Sequence, residues 1–144
     1  MLIFVAPTSK LKAGTQLDFN SSTALTSAGN YNGSVSPTNT SDVLLNRSGA
    51  TLTITSGNVV MESLSVTNNA TFLIGNGGSS AARTLTLGNT GTFTNAVSGG
   101  VNDLIYLAGT SNLTIQPSVG AGTQTLSLVL AQSGNFSVAS SASL

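Results

Sequence analysis

Charge is the scarcest commodity in this sequence. Four Lys/Arg and four Asp/Glu amount to 6% of the residues, against about 25% in an average soluble chain. With a net charge of zero and no basic cluster, counterion-release binding to nucleic acid has no footing, and anionic membrane surfaces lack a basic partner. Cysteine is absent, which excludes disulfides, thiolate zinc sites and thiol nucleophiles. Histidine is absent too, and with it the commonest general base and metal ligand. No cofactor and no metal site are expected. The apolar run near the start, MLIFVA, is too short to span a bilayer or to form a signal-peptide core. No membrane insertion is therefore expected, and either a targeting segment has been removed or the chain is a piece of something longer.

What the chain does contain is 40% hydrophobic residues set among Ser, Thr, Asn and Gly. Disorder goes with low hydrophobicity and high net charge, and this composition has neither. Its 144 residues suffice for one domain with a real core whose polar surface is made of hydroxyls and amides. The helical spacing i, i+3, i+4, i+7 fails along the chain, and weak helix formers dominate.

A repeat organises the sequence. Quartets TLTI, TFLI, TFTN, NLTI and NFSV begin at residues 51, 71, 92, 112 and 135. Their first apolar residues are Leu52, Phe72, Phe93, Leu113 and Phe136. Eight residues before each stands another: Leu44, Leu64, Leu85, Ile105 and Leu128. Two residues after most anchors lies a further apolar residue, the period of a strand. Turn formers such as NRSGA, TNNA and GNTG separate the two segments of each unit. A two-strand unit of 20 to 23 residues cannot bury its own apolar face, but stacking successive units does.

The spacing thus predicts an all-β fold, a right-handed parallel β-solenoid of about five coils, with the ten anchors as its core ladder. Residues 1–41 match the repeat poorly and are expected to form an N-terminal strand and cap, or an irregular first coil; residues 42–144 are the solenoid repeats. An antiparallel sandwich is the competing architecture. Asn95 is the polar break in the quartets' inner row, where this register would fail first.

Little in the sequence suggests chemistry. Asp42, Glu62, Arg83 and Asp103 fall two residues before the first-strand anchors, which predicts one acid–acid–base–acid column. A functional reading pairs Glu62 with Asp103 as glycosidase-type carboxylates. The plainer reading is a solvated column bridged by Arg83. Thr51, Thr71 and Thr92, with Thr53, Thr94 and Thr114, are expected to point outward in hydroxyl columns. Such columns stabilise neighbouring strands, and an ice-binding surface is the sharper alternative. Seven Asn-x-Ser/Thr sequons occur, as chance allows in so Asn-, Ser- and Thr-rich a chain.

The stretches SGATLTITSGNVVMESLSVTNNATFLIGNGG and RTLTLGNTGTFTN resemble the autotransporter-associated β-strand repeats of large bacterial surface proteins, a likeness that covers about residues 42–138. The resemblance implies an exported, passenger-type β-helix serving as stalk, fibre or adhesin, at the cell surface or outside the cell, with no catalytic residues to carry over.

The last quartet is followed by nothing polar enough to cover it, and MLIFVA is strongly β-prone. We therefore expect head-to-tail self-association into a homo-oligomer or filament, with Leu2, Ile3, Phe4 and Val5 as a strand donated to a neighbour. The function expected is non-catalytic and structural, a fibre or stalk subunit. An adhesin or ice-binding module, with a carbohydrate or other surface ligand, is the alternative; a polysaccharide-active β-helix is the distant one.

Overall fold

The computed structural model describes residues 12–13, 15–19, 24–47, 51–55, 57–77, 81–88, 91–117 and 125–144. Among these the strands are β1 (Lys12–Ala13), β2 (Thr15–Asp18), β3 (Ser41–Leu45), β4 (Thr51–Thr53), β5 (Val59–Met61), β6 (Ser63–Val66), β7 (Thr71–Gly75), β8 (Arg83–Leu87), β9 (Phe93–Thr94), β10 (Asp103–Leu107), β11 (Asn112–Ile115), β12 (Leu126–Leu130) and β13 (Asn135–Val138). A single 3-10 turn, Ala28–Asn30, is the helical element among the described residues. No described helix is long and apolar enough to cross a membrane.

The fold is all-β and its strand pairs are parallel. Sheet I runs β2-β3-β6-β10-β13, sheet II runs β4-β7-β11, and sheet III runs β5-β8-β12. A fourth, two-stranded sheet joins β1 to β9. Every named strand pair is parallel, which removes the antiparallel sandwich. From β3 onward the chain takes one strand in sheets I, II and III, in that order, three times over, and returns to sheet I as β13. The strand β9 is inserted ahead of the third pass.

Each pass therefore holds three strands where the sequence predicts two. The extra strand is β5, part of the stretch TSGNVVM that reads as a loose connection; Val59 and Met61 are buried and Val60 is exposed, as the two-residue period requires. Strands of sheet I begin at Ser41, Ser63, Asp103 and Asn135, so successive passes take 22, 40 and 32 residues rather than a steady twenty or so. The anchors Leu85 and Leu128 do pair with each other, but in sheet III. Phe136 stacks on Ile105 in sheet I rather than on Leu113.

Inward columns form the core. In sheet I, Val43, Leu64, Ile105 and Phe136 are cross-strand partners, as are Leu45, Val66, Leu107 and Val138. Sheet II aligns Leu52 with Ile74 and Ile115, and Phe72 with Leu113. Sheet III aligns Val59, Leu85 and Leu128, and Met61, Leu87 and Leu130. In the first strand of the repeat it is Val43, not the expected Leu44, that faces Leu64. Three consecutive apolar residues make that one-residue slip invisible in the sequence, although it turns every side chain to the other face.

The columns are buried until their last members. Leu128 is 40% exposed, Leu130 46%, Phe136 43% and Val138 40%, because no described strand pairs beyond β12 and β13. The expected core positions Leu128 and Phe136 thus lie open for a positional reason, while Leu52, Leu64, Phe72, Leu85, Phe93, Ile105 and Leu113 are buried.

The turns between sheets I and II also stack. Asn68 and Asn69 take left-handed backbone (φ 57° and 56°), a conformation Asn tolerates better than most residues. The Asn68 amide donates to the Asn46 carbonyl (2.9 Å), Asn69 Oδ1 accepts from the Thr110 N–H (3.0 Å), and Ser141 Oγ donates to the Gly109 carbonyl (2.7 Å). Each turn is tied to its neighbour through polar atoms, without charge.

Candidate functional site

Sheets II and III bury one face and leave the other more open, but in sheet I the strands β3 and β6 are buried on both. All five residues of β3 and all four of β6 are buried, including Ser41, Asp42, Ser63 and Ser65. What covers this outer face includes the segment 91–102, which enters through β9 and leaves into β10. Thr94 bridges Val101 antiparallel, and the Asn95 N–H donates to the Gly100 carbonyl (3.0 Å), so the segment closes as a short hairpin-like strap.

At the centre of the interface is Asn95, fully buried. Its Oδ1 accepts from the N–H groups of Val97 (2.8 Å) and Ser98 (3.0 Å), which orients the amide. Its Nδ2 lies within donating distance of Ser63 Oγ (2.9 Å), the Asp103 carbonyl (3.0 Å) and Ser65 Oγ (3.3 Å). Ser63 Oγ donates in turn to Asp42 Oδ1 (2.5 Å), and Asp42 Oδ2 accepts from the Ala96 N–H (2.8 Å).

Asp103 completes the cluster from the next strand. A β-bulge interrupts the register between Asp103 and Ile105, which brings the carboxylate to the strap side. There it accepts from Ser98 Oγ (2.7 Å) and Ser137 Oγ (2.8 Å). Gly100 packs so close that a Cβ would overlap the Asp103 carboxylate, which explains glycine at that position. Asn95, the residue singled out as the weak point of the register, is therefore no member of an inner row. It is the hub of a polar joint between strap and sheet, and the joint's hydrogen bonds offset the cost of burying amide and carboxylate.

The remaining expected site residues are placed as follows. Asp42 lies opposite Ser63, Asp103 opposite Asn135, and Arg83 opposite Leu126 in sheet III, so the four charges form no single column. The reason is the third strand: the unit that begins near Arg83 runs in a different sheet from the other three. The Arg83 guanidinium donates to the Thr55 carbonyl (3.3 Å), and Glu62 is buried between β5 and β6. Thr51 and Thr114 share a row with Leu73 between them; Thr71 aligns with Asn112, whose amide reaches its hydroxyl (3.4 Å); Thr53 faces Gly75. Thr94 pairs with Ala13, and Thr92 lies exposed just before β9. The six threonines form no continuous hydroxyl surface. Leu2, Ile3, Phe4 and Val5 lie outside the described residues.

A cleft of about 220 Å³ is lined by Leu25, Thr26, Ser36, Pro37, Asn58, Val59 and Val60. No titratable side chain lines it. Among the described residues no group of three or more His, Cys, Asp or Glu could hold a metal ion. Fold and site together define an all-β chain of parallel sheets with a sealed polar joint on one of them. No family model, curated protein or solved structure matches the chain.

Proposed function

We propose that this chain is a non-catalytic structural module, a right-handed parallel β-solenoid that serves as a subunit of a bacterial surface fibre or stalk. One observation carries the reading. Apolar columns run through successive strands of all three sheets, and in sheets I and III they end in side chains of core type that are about two-fifths exposed. A further strand laid on β12 or β13 would extend those columns and pair the backbone edge that no described strand occupies. From Leu104 to Leu144 the sequence contains no charged residue, so that edge carries none of the lysines and carboxylates that repel an incoming strand. The polar joint supports the same reading, because its groups are bonded to one another and covered.

The partner in this reading is a second copy of the chain, added head to tail through residues Leu2–Val5 as a donated strand. At the opposite end Phe19, Leu25 and Tyr31 are buried over sheets I and II, so two flat open ends do not meet there and a donated strand is the simpler joint. Sedimentation and electron microscopy over a range of concentrations test it. Particles that lengthen with concentration are expected from the full chain, and only short ones after deletion of residues 1–6. Unchanged filaments after that deletion would refute the donated strand, and a monomer at every concentration would refute the fibre. Labelling of intact cells of the source organism with an antibody to the chain tests the surface location, and signal confined to lysed cells would count against it.

A further inference from the structure

The joint around Asn95 holds the parts of an acyl-transfer site turned inward on the protein itself. We propose that Ser63 and Asn95 react to form an intramolecular ester, with release of ammonia, which cross-links the strap to sheet I. This inference does not depend on end-to-end assembly.

The parts are these. The nucleophile is the Ser63 hydroxyl, whose proton points at Asp42 Oδ1 2.5 Å away, the nucleophile–base contact that activates a serine. Asp42 is itself held by the Ala96 N–H on its other oxygen. The electrophile is the Asn95 side-chain carbonyl. Its oxygen accepts from two backbone N–H groups, Val97 at 2.8 Å and Ser98 at 3.0 Å, donors that are in place to follow the oxygen as it gains charge. The leaving nitrogen, Nδ2, donates to Ser63 Oγ (2.9 Å), so amide and hydroxyl are in direct contact, and the proton that the nitrogen needs comes by way of Asp42.

The step balances without a co-reactant. Ser63 Oγ forms a bond to Asn95 Cγ while its proton passes to Asp42. The intermediate collapses with cleavage of the Cγ–Nδ2 bond, and Asp42 returns the proton to the nitrogen, which departs as ammonia. An ordinary amide resists a hydroxyl in water. Here burial and the hydrogen bond from Nδ2 to Oγ keep the two groups in contact for the lifetime of the fold, and such proximity lowers the barrier to attack. Asp42, Ser63, Ser65 and Asn95 are all fully buried, which limits the competing hydrolysis of Asn95 and protects the ester once made. Ser65 is the poorer nucleophile of the two, 3.3 Å from Nδ2 and 3.5 Å from Oδ1, and its hydroxyl is hydrogen-bonded to the amide instead of a carboxylate.

Mass spectrometry of the purified folded chain decides the matter. The expected intact mass is lower than that of the sequence by one ammonia. A digest should yield the peptide containing Ser63 joined to the one containing Asn95, and hydroxylamine should separate them. Ser63→Ala should restore the full mass, while Ser65→Ala should keep the link. An unlinked wild-type chain with the full mass would overturn the proposal, as would a mass raised by replacement of the Asn95 amide with a carboxyl. The wild-type measurement stands even if a variant fails to fold.

Discussion

The two ends of the strand stack bury their apolar residues in opposite ways. At the N-terminal end the regular pattern is missing, yet Phe19, Leu25 and Tyr31 are buried. Phe19 and Tyr31 meet edge to face with ring centroids 5.2 Å apart, the Tyr31 hydroxyl donates to the Leu25 carbonyl (2.8 Å), and the Leu25 N–H donates to the Thr53 carbonyl (3.0 Å). At the C-terminal end the pattern is intact, and the same kinds of side chain stand open. Regularity and burial are thus separate properties. An irregular segment covers an end because its polar groups find local partners, whereas a perfect repeat always presents one more edge.

Paired truncations should break this symmetry of composition most sharply. Phe19→Ala at the closed end is expected to cost about 3–5 kcal/mol, the usual range for removing a packed phenylalanine. Phe136→Ala at the open end should cost only about 1 kcal/mol in the monomer, because much of the ring is already in water. Denaturant midpoints at low protein concentration would measure both, and equal losses would contradict the contrast. Charge should act in reverse. Phe136→Lys is expected to leave monomer stability within about 1 kcal/mol of the parent, yet abolish self-association, read as a single monomeric species across concentrations.

The smallest effect concerns pH. Burial holds the Tyr31 phenol well above the ordinary range, because the phenolate would lose its hydration. In the unfolded chain the proton leaves near pH 10, whereas the folded state keeps it. The unfolded state then binds fewer protons, so stability is fully present below that pH and falls as pH rises beyond it. Tyr31→Phe should cost about 1 kcal/mol at neutral pH through loss of the bond to Leu25, and should flatten the alkaline decline. An alkaline slope unchanged by this substitution would show that Tyr31 is not its source.

Particular residues explain what could be read from the sequence and what could not. The apolar pairs at i and i+2 lie in strands almost throughout, and the eight-residue step from Leu64 to Phe72 and from Ile105 to Leu113 spans the corner between sheets I and II. The identical step from Leu85 to Phe93 leads from sheet III into the strap, and that from Leu128 to Phe136 leads from sheet III into sheet I. A corner made of Gly, Asn and Ser looks alike wherever it turns, so the repeat identifies strands without saying which sheet each joins. The strand β5 left a signal in Val59 and Met61, but it is short and contains no threonine, and its stretch TSGNVVM reads as a loose connection. The polar joint had a weaker signal: Asn95 where an apolar residue belongs, and serines alternating with Leu64 and Val66. Only the fold shows that those serines and Asn95, some thirty residues apart, meet.

The strap also sets how the molecule should come apart. Its bonds reach Asp42 in β3, Ser63 and Ser65 in β6, and Asp103 in β10, three successive strands of one sheet. Among the described residues each strand of sheet I otherwise pairs only with its neighbours in that sheet, so unfolding is expected to proceed from an end, one strand after another. Fraying from the open end can release β12 and most of β13 in this way, but it meets a block of strands that have to let go together. Amide hydrogen exchange in this protein should therefore rise in two steps, with the boundary between them at β10.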